Sequence, residues 1–245
     1  MQNSDFTSGW LNTRESVENF SPRGVELPPV MVGDVVESTM KCHNIRIRRE
    51  TVEITMAVPA KCFLVTGSPG VGKTTLVATI LETLKSSSPN LKIQGFFTRE
   101  IRQGGERVGF EVVTLDGRTA PLASINSSSS ESIRWPTVGK YRVDVASFES
   151  LALPELQVKE ETDLFVIDEV GKMEVFSSLF FPAVLRVLES NKPLLATIPI
   201  PKAGRDIPAV ARLKNHPGAT IFNLTKSNRD AMKDQIHSLL AGMLV

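Results

Sequence analysis

The chain has only two cysteines and three histidines, and almost no net charge: 28 Lys and Arg against 27 Asp and Glu leave +1 over 245 residues. Each scarcity closes a class of function. Cys42, in a stretch without periodicity, and Cys62, inside an apolar run, do not make a disulfide scaffold or a zinc site. His43, His216 and His237 are scattered and read as surface or loop residues. Balanced charge supplies no global field to draw the protein onto nucleic acid or an anionic membrane, so neither partner is indicated. No apolar stretch reaches bilayer-spanning length, and the first residues lack a basic start followed by a hydrophobic run. An intracellular, cytoplasmic protein is the expectation. There is no internal repeat, and the chain is expected to act as a monomer.

What the chain does have is Gly67-Ser68-Pro69-Gly70-Val71-Gly72-Lys73-Thr74, followed by Thr75, which fills the pattern G-x-x-x-x-G-K-[ST]. Its flanks supply the right context. Residues 62–66 read as a buried strand, and residues 75–84 repeat apolar side chains at helical spacing. A glycine-rich loop between strand and helix curls with its N–H groups inward, and the helix start adds partial positive charge. That is a cradle for a polyphosphate. Lys73 is then the point charge for the β- and γ-phosphates, and the Thr74 hydroxyl is a ligand for the Mg²⁺ that accompanies a nucleoside triphosphate.

A second element is Asp163-Leu164-Phe165-Val166-Ile167-Asp168-Glu169, a hydrophobic strand ending in two adjacent acids, which resembles a Walker B segment. Alone, such an end reads more simply as the cap of a turn. Paired with residues 67–74, it predicts an aspartate at the C-terminal end of a central parallel strand, where Asp168 holds Mg²⁺ directly or through water. Glu169 is next in line to polarise a water that attacks the γ-phosphate.

Residues 1–55 carry Ser, Asn, Pro and mixed charge without periodicity and are expected to be a variable extension, with Ile45-Arg46-Ile47-Arg48 as a short edge strand at most. The folded domain is expected over 56–245, starting at Met56. The serine-rich stretch 126–132 reads as a connector. Strands are expected at 92–101 and 107–115, joined by Gln103-Gly104-Gly105-Glu106 as a β-hairpin, and at 139–145, 193–198 and 219–224. Helices are expected at 147–156, 174–189 and 228–244. Alternating strands and helices predict an α/β fold: a mostly parallel sheet with helices on both faces, an inserted hairpin, and ligand at the C-terminal strand ends.

Taken together, residues 67–75, Gly95-Phe96-Phe97-Thr98, Gly109-Phe110, Asp168-Glu169-Val170-Gly171-Lys172-Met173-Glu174 and Phe222-Asn223-Leu224-Thr225-Lys226 resemble the cancer-related nucleoside-triphosphatase family, also found in thermophiles. The likeness covers about residues 58–245. It implies a P-loop NTPase that hydrolyses several nucleoside triphosphates to diphosphates with Mg²⁺ and little base preference. Carried over residue by residue, the nucleotide-binding segments are 67–75 and Asp168, Glu169, Val170 and Gly171. Lys172, four residues beyond Asp168, is the first candidate to neutralise charge on the transferred group. Arg99, Arg102 and Arg205 are alternatives, although each singly reads as a solvated surface charge. The Lys226-Ser227-Asn228 turn borders the base or, more simply, caps a helix. A nucleotide or small-molecule kinase uses the same parts but needs an acceptor pocket, and a non-catalytic switch has no need of Glu169.

Overall fold

A computed structural model describes residues 61–126 and 134–244. The expected extension over 1–55, the edge strand at 45–48, the start at Met56 and most of the serine-rich connector lie outside the described residues. Strand β1 (Cys62–Gly67) is buried along its whole length. An apolar run of this kind, buried on both faces, belongs in the middle of a parallel sheet. It pairs in parallel with β8 (Leu194–Ile198) and β9 (Ala219–Leu224), one on each side. Beyond β8 lie β7 (Leu164–Asp168) and β2 (Ile93–Gln103), also parallel.

The remaining strands, β3 (Glu106–Thr114), β4 (Thr119–Ser124), β5 (Thr137–Val138) and β6 (Tyr141–Val143), run antiparallel beyond β2. The nine-stranded order is β5-β6-β4-β3-β2-β7-β8-β1-β9. The antiparallel part is therefore larger than a hairpin. Strand β4 was not expected because Thr119-Ala120-Pro121-Leu122-Ala123-Ser124 carries proline and alanine in place of β-branched residues. The proline is accommodated beside an irregular step in β3 between Phe110 and Glu111.

Successive side chains of β1 point to opposite faces, and each face has its own core. Phe63 and Val65 meet helix α1 (Lys73–Ser87) and α5 (Arg229–Ala241), whose Leu76, Ile80, Leu84, Ile236 and Leu240 are buried. Cys62 and Leu64 join the cluster covered by α2 (Val145–Glu155), α3 (Phe180–Glu189) and α4 (Pro208–Lys214). There Phe148 meets Phe96 and Phe180 edge-on, with ring centroids 5.9 and 5.3 Å apart. Each such buried apolar side chain contributes about 1.5–3 kcal/mol.

The helix expected over 174–189 is broken. Glu174–Phe176 is one 3₁₀ turn, and α3 begins only at Phe180 because the Ser177 hydroxyl accepts the Phe180 N–H at 3.0 Å. The same hydroxyl donates to Glu149 at 2.6 Å, which pins the start of α3 to α2. Helix α4 was not expected either, its seven residues being too few to display a period.

Gly95 decides how β2 meets β7. Its φ is +133°, and a Cβ there would lie 1.8 Å from the Val166 carbonyl oxygen. Backbone cannot yield by that amount. Gly95→Ala is therefore expected to destabilise the protein by about 3 kcal/mol or to prevent folding, from overpacking added to backbone strain; a urea midpoint equal to that of the wild type would contradict this.

Candidate active site

Strand β1 ends at Gly67, and the loop that follows turns back through a Val71 N–H to Ser68 carbonyl bond of 3.1 Å. Val71 is buried and anchors the loop, while Ser68, Pro69 and Gly70 are exposed. Helix α1 starts at Lys73 with no side-chain cap and no acidic residue in its first turn. Its leading N–H groups and positive dipole end are thus directed at the loop without a protein anion to satisfy them. Thr74 and Thr75 are exposed at this helix start.

One strand, β8, separates β1 from β7, and their parallel register brings the ends level: Ile167 faces Ala196 on β8, and Thr66 faces Ile198. Asp168 therefore arrives beside the loop. It is 2% exposed, and its Oδ2 accepts the Thr74 hydroxyl at 2.6 Å. Its Oδ1 accepts the Thr197 hydroxyl from the end of β8, and the Thr98 backbone also donates to it. Burial pushes the Asp168 carboxyl above the usual carboxylate range, opposed by the two hydroxyls and the Lys73 charge.

Lys73 Nζ donates to the Gly67 carbonyl at 3.3 Å and stands 3.9 Å from Glu169 Oε2. Glu169 is about one-third exposed at the mouth of the site. Desolvation raises its pKa and Lys73 works the other way. Lys73, Thr74, Asp168 and Glu169 are thus drawn into one cluster.

The other expected site residues lie differently. Val170 is fully buried in the core, and its N–H is taken by the Thr197 carbonyl at 2.9 Å. The Gly171 N–H is taken by Glu174 Oε2 at 3.1 Å. Neither N–H is open to a ligand. Lys172 is exposed and makes no ion pair or hydrogen bond among the described residues. Arg99 is tied to Glu111 at 2.8 Å and Arg102 to Glu100 at 2.5 Å, so both are committed on the β2–β3 ribbon.

Two residues around the cluster were not singled out from the sequence. Thr197 is a polar residue in the otherwise apolar Leu194-Leu195-Ala196-Thr197-Ile198, which is the one signal that could have marked it. Glu174 was read as part of a helix, yet its carboxyl is buried against Gly171. A Cβ on residue 171 would lie 2.6 Å from Glu169 Oε1 and 2.9 Å from Glu174 Oε2, so glycine there lets two carboxyls pack side by side.

The donor set suits Mg²⁺. Thr74 and Asp168 offer hard oxygen atoms within hydrogen-bond distance of each other, and Mg²⁺ prefers few protein oxygens, with waters and substrate phosphates completing its shell. Among the described residues no group of three or more His, Cys, Asp or Glu is placed to hold a metal ion alone.

A family model described as NTPase matches residues 62–237. The chain belongs to this NTPase family. The human cancer-related nucleoside-triphosphatase is 43% identical over 183 residues, covering 72% of this chain and 95% of that protein. Nucleoside-triphosphatase THEP1 of a Thermotoga species is 38% identical, covering 72% and 94%. Among solved structures, THEP1 of Aquifex aeolicus aligns with a TM-score of 0.61 at 38% identity, over 73% of this chain and 98% of that one. The solution structure of a human cancer-related nucleoside triphosphatase aligns at 0.64 and 42%, over 75% and 98%. Within the NTPase family fold, the loop at 67–74 and the acids at 168–169 occupy the C-terminal ends of parallel strands β1 and β7, which flank β8, as expected for an open α/β sheet.

The buried Glu174 gives the domain a distinctive pH response. Burial, reinforced by the nearby Glu169 charge, pushes its carboxyl from 4.5 up to about 8. The folded protein then keeps a proton that the unfolded chain sheds, so this group makes stability fall as pH rises from 4.5 towards about 8 and level off above. Glu174→Gln, neutral throughout, should gain on the wild type by a few kcal/mol between about pH 5 and about pH 9. Parallel thermal-unfolding curves for the two proteins across that range would contradict the assignment.

Proposed function

We propose that the domain is a Mg²⁺-dependent nucleoside triphosphatase that cleaves the terminal phosphoanhydride, releasing nucleoside diphosphate and phosphate, with little discrimination among bases. The observation that carries this reading is the cluster of Lys73, Thr74, Asp168 and Glu169 at the uncapped start of α1. The names of the NTPase relatives support it.

In this reading, residues 67–75 wrap the triphosphate with backbone N–H groups, and Lys73 leaves Glu169 to contact the β- and γ-phosphates. Thr74 and Asp168 hold Mg²⁺, which neutralises charge on the phosphate oxygens when bound. Thr197 fixes the Asp168 carboxylate in place. Glu169, at the mouth, accepts the proton of a water whose oxygen bonds to the γ-phosphorus as the bond to the β-bridging oxygen breaks. The bridging electron pair leaves with the diphosphate. Lys172, exposed and without an ion pair among the described residues, is proposed to neutralise charge on the transferred group. A kinase lid needs free arginines, and Arg99 and Arg102, held in ion pairs, are not available for that role. Residues 1–55 are proposed to lie outside the catalytic unit, consistent with a family match that begins at residue 62.

The test is phosphate release from ATP, GTP, CTP and UTP with Mg²⁺ or EDTA, for wild type and Glu169→Gln. Wild type should turn over all four with metal only, and the variant should bind nucleotide yet lose about 10²–10⁴-fold in rate. Equal rates for the two proteins would remove Glu169 from the chemistry, and release in EDTA would remove the metal.

A further inference from the structure

The turn after β9 is laced by side-chain hydrogen bonds. Asn228 does not cap α5; its Oδ1 accepts the Thr225 N–H at 2.8 Å and its Nδ2 donates to the Asn223 carbonyl at 2.9 Å. The Thr225 and Ser227 hydroxyls are 3.1 Å apart. This lacing fixes the first residue of α5, Arg229, in relation to β9. Since Leu224 of β9 is the partner of Gly67 on β1, Arg229 sits beside the phosphate loop.

Its guanidinium faces that loop. From the point where a Cβ on Gly72 would stand, Nε, Cζ and Nη2 of Arg229 are 3.6, 3.7 and 3.9 Å away. Three near-equal distances place that point over the face of the guanidinium, since an approach at the edge would separate Cζ from the two nitrogens. One face is thus turned to Gly72, and the residue is exposed. Arg229 has no ion pair or hydrogen bond among the described residues, whereas Arg99, Arg102, Arg107 and Arg118 are all paired with carboxylates. A phosphate-binding arginine would aim its N–H edge at the loop, and Arg229 turns its face there instead.

The strand order gives the direction of the substrate. Lys73 leans towards Glu169 on the β7 side of β1, so the terminal phosphate belongs there, and β9 is on the opposite side. The nucleoside must leave the loop towards β9 and α5, where Arg229 is. We propose that Arg229 is a nucleobase platform: the open face of its guanidinium stacks on the base. Every base has a π-face, so a planar cation holds purines and pyrimidines alike and leaves recognition to the triphosphate. This rests on the triphosphatase reading for the direction of the substrate and adds the group that holds its other end.

The test is calorimetric titration of the full chain with Mg²⁺ and the non-hydrolysable imido analogues of ATP and GTP, and separately with inorganic tripolyphosphate, for wild type, Arg229→Ala and Arg229→Lys. Both variants should bind both analogues about tenfold more weakly and tripolyphosphate as the wild type does, which also shows that the loop is intact. Unchanged analogue affinity overturns the proposal. So does a parallel loss for tripolyphosphate, which makes Arg229 a phosphate ligand, or full rescue by lysine, which makes it a point charge. Because the readout is binding, it is independent of turnover: a wild type that binds the analogues but releases no phosphate from ATP loses the hydrolase reading and keeps this one.

Discussion

The contact between the Thr74 hydroxyl and the Asp168 carboxylate joins residues 94 positions apart and sets the geometry of the whole site. It exists because β7, β8 and β1 are parallel neighbours that end at one level. Antiparallel strands would have carried the acids to the opposite edge of the sheet. The largely apolar runs of these strands, buried on both faces, keep that order fixed. Gly95 does the same on the far side by letting β2 close on β7.

The arrangement stores electrostatic cost around that contact. Asp168, Glu169 and Glu174 crowd together with Lys73 as the one cation among them, and burial raises the pKa of all three acids. Desolvated carboxylates of this kind cost several kcal/mol unless a cation offsets them. In the proposed reading, a metal-bound polyphosphate would bring positive charge to Asp168 and engage Lys73, and Glu169 would lose its partner in the same event.

Parts of this were legible in the chain because residue type alone dictated them. The spacing of glycines before Lys73-Thr74 permits little but a curled loop, and the paired glycines at 104 and 105 announce the turn between β2 and β3. Asp168 and Glu169 close the apolar run Leu164-Phe165-Val166-Ile167, which marks a buried strand with acids at its end. Thr197 and Arg229 were not legible, since each reaches the loop through sheet register: Thr197 through β8 beside β1, and Arg229 through β9 on the other side. The break at Ser177 was hidden by the apolar period running through it, which a hydroxyl overrode by capping α3. Val170 and Gly171, next to the acids in sequence, have their N–H groups committed to Thr197 and Glu174, partners set by the sheet and by the turn after it.

The most direct measurement is the crystal structure of the protein with Mg²⁺ and a non-hydrolysable nucleoside triphosphate. The metal should have Thr74 Oγ1 in its shell and Asp168 either bound or one water away, with the terminal phosphate turned towards Glu169. A metal and triphosphate bound in the loop with Asp168 still hydrogen-bonded to Thr74, or with the terminal phosphate directed towards β9, would contradict the site at its centre.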